Sequence, residues 1–243
     1  MKKAALLVAW VFFTLTVTAQ ESKITVAGNG KIVKEKRDIS DFSKITVSGP
    51  FEVCLTSGDA GKISLEGDEN ILAIIDTKVT NGTLAIVTQN DVNVRPSFTN
   101  KIKIKVPAKY FESIALTGCG SIYSKGLIRS GKIKATVDGP GSINIMVSST
   151  DATAWILGCG SITIRGTTDK FNCKIVGSGT IKAYDLQAKD VTAYISGSGD
   201  AKVNSKLALT GRIIGTGNIA FNGEPKKTDL KYMGAGSYSY NKD

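Results

Sequence analysis

The sequence has no histidine, and none of its four cysteines forms a Cys-x-x-Cys pair. A zinc site needs three or four converging ligands, so none is expected. Aromatic residues make up only 7% of the chain, and helix-period patterns are hard to find. No basic–aromatic cluster suggests a nucleic-acid partner. Beyond the first nineteen residues, no stretch approaches the ~20 apolar residues that a membrane-spanning helix needs.

Those first nineteen residues read as a secretory signal peptide. Lys2 and Lys3 precede an apolar run from Ala4 to Val17, and Val17-Thr18-Ala19 supplies small residues for cleavage before Gln20. No cysteine lies near the cut, so an N-terminal lipid is not expected. Loss of Lys2 and Lys3 takes the formal charge from +10 to +8, which favours anionic surroundings. The protein is expected to be exported.

Against these absences stand 26 glycines, and many recur as Gly-x-Gly. The triplets begin at Gly28, Gly118, Gly139, Gly158, Gly177, Gly197, Gly215 and Gly234, with a degenerate Gly49-Pro50-Phe51. From Gly118 the steps are 21, 19, 19, 20, 18 and 19 residues. Apolar residues flank the triplets at fixed offsets. Two before lie Val26, Val47, Leu116, Val137, Ile156, Ile175, Ile195, Ile213 and Tyr232. Four before, the column runs from Ile24 and Ile45 through Ala135, Ala154, Cys173 and Ala193 to Leu230. Four after lie Ile32, Val53, Ile122, Ile143, Ile162, Ile181, Ala201, Ile219 and Tyr238. The unit is a strand, a glycine corner and a second strand, each strand with one face buried.

Units this short cannot bury an apolar face alone; stacked, they can. The predicted fold is all-β: a single-stranded right-handed parallel β-helix, or β-solenoid, with coils of about 19 residues and Gly-x-Gly corners. One domain is expected over 20–243, with irregular N-terminal coils at 20–117 and regular repeats at 118–240. Asn81-Gly82 predicts a hairpin, and Asp68 to Ile75 a helical turn capped by Asp68. The polar residue after each triplet, such as Ser142 or Thr180, is suited to a hydrogen bond across the bend. A phosphate-binding glycine loop would require a helix after the glycines, and here a strand follows each time. No cofactor is expected.

The repeated Gly-Cys-Gly-Ser-Ile places Cys119 and Cys159 at the middle of corners two coils apart. Their Cα atoms should lie about 9.6 Å apart, beyond the ~7 Å limit of a disulfide. Cys173 falls in an inward column of small residues. Cys54, opposite Val53 and Leu55, should point outward.

Val47-Ser48-Gly49-Pro50-Phe51-Glu52-Val53, then Leu55-Thr56-Ser57-Gly58-Asp59, then the serial corners, resemble the auto-transporter adhesin head domain (head GIN domain) family. Gly28-Asn29-Gly30-Lys31-Ile32-Val33, Asp38-Ile39-Ser40-Asp41-Phe42 and Asn81-Gly82-Thr83-Leu84 are similar to it as well. The resemblance spans roughly 28–240. It implies an exported β-helical protein of the Gram-negative envelope, located in the periplasm or at the outer cell surface, with an adhesin role and no catalytic residues.

The expected function is therefore a non-catalytic envelope module, binding or structural, that presents a repetitive surface to an anionic glycan or to a host or envelope protein. Lys101, Lys103 and Lys105 are ligand-binding candidates, an outward cationic stripe suited to carboxylate or phosphate. The same pattern also simply keeps an exposed strand soluble and unpaired. The alternative is a polysaccharide lyase or hydrolase, which would need carboxylates clustered on adjacent coils; Asp138, Asp151, Asp169, Asp185, Asp190 and Asp200 are scattered instead. Tyr232, Tyr238 and Tyr240 fall at inward positions of the last repeat. They are expected to close that end or to form a homodimer through it.

Overall fold

The computed structural model describes residues 24–58, 61–89, 92–97 and 101–242; the signal-peptide segment lies outside them. Three quarters of the chain is strand, wound into a β-solenoid of about 7 turns with coils of ~19 residues. The regular coils are β11 (Ser121–Asp138), β12 (Ser142–Gly158), β13 (Ser161–Gly177), β14 (Thr180–Gly197) and β15 (Asp200–Gly215). Each pairs in parallel with the next. Two strand pairs complete the end: β16 (Asn218–Asn222) with β18 (Ser237–Tyr240), and β17 (Lys227–Gly234) on β15.

Every regular coil folds twice. In β12 the inward residues are Ile143, Ile145 and Val147, then Ala152, Ala154 and Ile156, all at most 1% exposed. The broken alternation between Val147 and Ala152 marks a second corner. The glycine corner stacks glycine on glycine: Gly177 has φ 123°, and a Cβ there would be driven into the Gly158 carbonyl oxygen one coil earlier. Only glycine tolerates both conditions. The other member of a triplet is constrained by packing, since a Cβ on Gly160 would sit 2.6 Å from the Gly141 carbonyl oxygen.

The hydroxyls after the triplets do not bridge the bend. Their backbone amides bond to the preceding coil instead, as in Ser161 N to the Gly141 carbonyl at 3.0 Å. The side-chain bond in that column, Ser237 Oγ to Asn218 Oδ1 at 3.0 Å, also runs between coils. Hydroxyls close the second corner. Thr168 Oγ1 donates to the backbone carbonyl of Thr150 or Lys170, at 3.2 and 3.0 Å. Ser130 Oγ donates to the Lys132 carbonyl at 2.7 Å, and Ser205 Oγ to that of Ala208 at 2.8 Å.

The N-terminal part joins the same stack by a different construction. β3 (Lys44–Ser48) and β10 (Ser113–Thr117) form a parallel rung under β11, and β4 (Phe51–Ser57) pairs with β11 on the adjoining face. β9 (Ile102–Ala108) runs parallel to β4 and antiparallel to β5 (Lys62–Asp68), which pairs antiparallel with β2 (Ile32–Asp38). β6 (Ile75–Thr80) and β7 (Thr83–Thr88) form the predicted hairpin, with Asn81 and Gly82 at φ 50° and 69°, values a type I′ turn requires.

Two expectations for this region need correction. Gly28-Asn29-Gly30 is not a solenoid corner. β1 (Thr25–Ala27) pairs with β8 (Asn93–Arg95) in a separate two-stranded sheet, and Ile24 and Ile32 are 73% and 44% exposed. The triplet instead packs on Asp68, whose carboxylate is completely buried. The helical turn α1 (Glu69–Leu72) forms after Asp68, but the side chain does not cap it. It accepts bonds from Gly30 N and Ser97 N at 2.9 and 3.0 Å, and from Ser97 Oγ. Burial pushes the carboxyl up, but the Ser97 and Gly30 bonds together outweigh it and hold it below its ordinary value of 3.8.

Candidate functional site

The predicted stripe is exposed but not bare. Alternation in β9 turns Ile102, Ile104 and Val106 inward and Lys101, Lys103 and Lys105 outward. In register, Lys103 lies between Glu52 of β4 and Glu66 of β5. Lys101 Nζ is 3.4 Å from Glu52 Oε2, and Lys34 Nζ is 3.1 Å from Glu66 Oε2. Carboxylates from both neighbouring strands thus face the stripe. A groove of about 490 Å³ runs beside it at the glycine corner, lined by Pro50, Glu52, Pro96, Lys101, Cys119 and Pro140 among others.

All four cysteines are free thiols. Cys119 and Cys159 are exposed at their corners, and burial pushes the Cys173 thiol up to about 12. Cys54 departs from expectation. It does lie on the face opposite Val53 and Leu55, but it is only 8% exposed. Tyr123 of the next coil stands in register with it. Hydrogen bonding to Cys54, then burial, raise the Tyr123 phenol to about 12. Alternation set the direction of the Cys54 side chain, and the neighbouring coil decided its exposure.

The end tyrosines also differ from expectation. Tyr238 lies against Gly211, where a Cβ would meet its ring at 2.6 Å, and its hydroxyl donates to the Lys231 carbonyl at 2.7 Å. Tyr232 and Tyr240 are 62% and 50% exposed, because no further coil covers them among the described residues.

The opposite sheet face carries an arrangement missed at the sequence level. Residues three before each corner form one outward column: Thr136, Trp155, Lys174, Tyr194, Arg212 and Lys231. Lys134 Nζ lies 4.7 Å and Lys174 Nζ 5.1 Å from the Trp155 ring centroid, and Lys174 Nζ is also 5.4 Å from that of Tyr194. These are cation–π distances. Arg212 is paired with Asp229, whose carboxyl it holds below its ordinary value. The signal is in the sequence, three before each corner, at an outward offset where the residue types vary from coil to coil.

Among the described residues, no group of three or more Cys, Asp or Glu residues could hold a metal ion, and no helix is long and apolar enough to cross a membrane. The scattered acids include two in ion pairs, Asp169 with Lys189 at 2.7 Å and Asp185 with Arg165 at 4.0 Å.

Residues 41–225 match the family described as "Putative auto-transporter adhesin, head GIN domain". The chain belongs to that family. Among solved structures, a putative adhesin from Bacteroides fragilis is similar at 22% identity and TM-score 0.83, covering 89% of this chain and 100% of its own. A putative lipid binding protein from Parabacteroides distasonis aligns at 25% identity and TM-score 0.75, covering 90% of this chain and 100% of its own. A putative adhesin from the same organism gives 23% and 0.69, with coverage of 89% and 100%. No curated protein matches. In this head GIN chain the Gly-x-Gly corners, the most repetitive feature of its sequence, are devoted to coil stacking.

Proposed function

We propose that the chain is an exported, non-catalytic binding module of the cell envelope, acting through the outer face of a rigid solenoid. The observation that carries this reading is the face itself. Parallel stacking lines up equivalent side chains on successive coils, about 4.8 Å apart, as a fixed array rather than a cleft. A preformed array needs little ordering on binding. The family description as an adhesin agrees with it.

Labelling intact cells with a membrane-impermeant amine-reactive biotin tests the location. The expected outcome is labelled lysines on this protein while a periplasmic control stays unlabelled. Labelling only after the outer membrane is opened would overturn surface display and leave a periplasmic scaffold. Purified protein is expected to release neither reducing sugar nor unsaturated ends from acidic polysaccharides.

Self-association through the last coil is part of the proposal, supported by the exposure of Tyr232, Met233 and Tyr240. Light scattering of a Tyr232→Ser, Tyr240→Ser double variant should show a smaller particle than the wild type. Equal sizes would remove this interface.

A further inference from the structure

The column through Trp155 has two companions on the same face. Five before each corner stand Lys134, Thr153, Asn172, Thr192, Thr210 and Asp229; one before stand Asp138, Leu157, Val176, Ser196, Ile214 and Met233. A row of hydroxyls and one amide therefore lies on one side of the aromatic–cationic column. On the other side, Val176 and Ile214 are 38% and 46% exposed. Trp155 and Tyr194 sit two coils apart, at about 9.6 Å. That is close to the advance of one disaccharide in an extended polymer. Lys174 lies midway.

Within the columns three and five before the corners the charge of the central coils is positive, while seven before the corners, at the margin of the face, Asp151 and Asp190 stand in register with Lys170. Asp229 serves Arg212 and Lys231 at the last coil, and Asp138 lies at the first. Lys134 and Lys174 have no carboxylate within ion-pair distance among the described residues; their partners are the rings. The Trp155 indole Nε1 is buried without a protein hydrogen-bond partner. Rings that accept the C–H face of a sugar, cations between them and a parallel row of hydroxyls suit one class of occupant.

We propose that this face binds a linear anionic polysaccharide lying along the solenoid axis. Trp155 and Tyr194 stack against its sugar rings, Lys134 and Lys174 meet its carboxylates or sulfates, and Thr153, Asn172 and Thr192 bond its hydroxyls. The proposal deepens the binding-module reading and rests on it. A lipid surface fits less well, because a bilayer has no repeat along one axis for a single column to match.

The test titrates the purified full chain with polygalacturonate, neutral dextran and vesicles containing an anionic lipid. Retention and tryptophan emission are both followed. The sequence has two tryptophans, Trp10 and Trp155, so emission lost in Trp155→Phe belongs to Trp155. Polygalacturonate is expected to change that emission, and dextran is not. Binding should weaken at least tenfold in Tyr194→Ala and in Lys134→Gln with Lys174→Gln. It should hold in Lys182→Gln with Lys202→Gln, which removes equal charge from the other face. Equal weakening by both lysine pairs would reduce the effect to diffuse attraction and overturn the proposal. Preference for vesicles, or binding to no probe, would overturn it too. In each case surface display, on which the binding-module reading depends, is tested separately by the labelling of intact cells, which does not involve the Trp155 column.

Discussion

The two ends of this chain solve one problem in different ways. The stack from β11 to β15 is held by coil-to-coil backbone bonds and by inward columns in which Ala135, Ala154, Cys173, Ala193 and Gly211 replace one another. The N-terminal part instead turns strands antiparallel around buried groups such as Phe51, Leu65 and Leu72. Single polar side chains fasten it. Asp68 ties Gly30 to Ser97, and Arg37 donates to the carbonyls of Leu72 and Ile75. In the stack, what matters is the column. In the cap, what matters is the individual residue. A solenoid needs such a cap because an open coil presents a whole rung of unpaired backbone.

The largest effect should come from breaking a column at its backbone. Gly177→Val requires an L residue at φ 123° and forces a Cβ into the Gly158 carbonyl. The expected cost is on the order of 3–5 kcal/mol, read from the urea midpoint. Gly131, at the second corner, has nothing within 4 Å of its would-be Cβ. Gly131→Val should therefore stay within about 1 kcal/mol. Similar losses at both positions would show that the cost belongs to glycine content and not to the stacked corner.

Next comes the cap. Asp68→Asn should cost about 2–3 kcal/mol at neutral pH, because it replaces a buried, triply bonded carboxylate. The folded carboxyl titrates below its ordinary 3.8. Its stabilisation is therefore present above about that pH and disappears as pH falls through the lower folded value. The gap between wild type and variant should close on acidification. The exposed Asp200, in the stack, should give an Asn variant within about 0.5 kcal/mol of wild type.

These contrasts also mark what could be read from the sequence. The columns at two and four residues before the glycines were legible because a repeated offset carries its own evidence; Val137, Ile156 and Ile175 are fully buried, as read. Gly28-Asn29-Gly30 looks the same locally and is used differently, since only tertiary contact with Asp68 distinguishes it. The buried thiol of Cys54 was hidden for a related reason: alternation gives a direction, and Tyr123 on another coil supplies the cover. The Trp155 column was present in the spacing all along. Its residue types vary too much to stand out until stacking places Lys174 between two rings.

Thiols sharpen the comparison within the stack. Cys119 and Cys159 should react with a thiol reagent in the native protein, and Cys173 only on unfolding. Burial raises the Cys173 thiol from 9.0 to about 12, so the native state keeps a proton that the unfolded chain releases first. Stability should consequently fall between those two pH values. Cys173→Ala should flatten that fall while costing about 1 kcal/mol or less at pH 7.

The smallest effect tests interchangeability at the second corner. One column there reads Ser130, Ser149, Thr168, Ala188 and Ser205, so one coil already turns without the hydroxyl. Thr168 is 5% exposed and its Oγ1 faces the carbonyls of Thr150 and Lys170. Removing that donor in Thr168→Ala costs one net hydrogen bond, about 1 kcal/mol. Ala188→Ser adds a hydroxyl at a fully buried position of the same column, and a cost of about 1 kcal/mol or more would show that this corner offers it no acceptor. A Thr168→Ala loss as large as that of Asp68→Asn would place single-residue fastening inside the stack, and the division between cap and columns would fail.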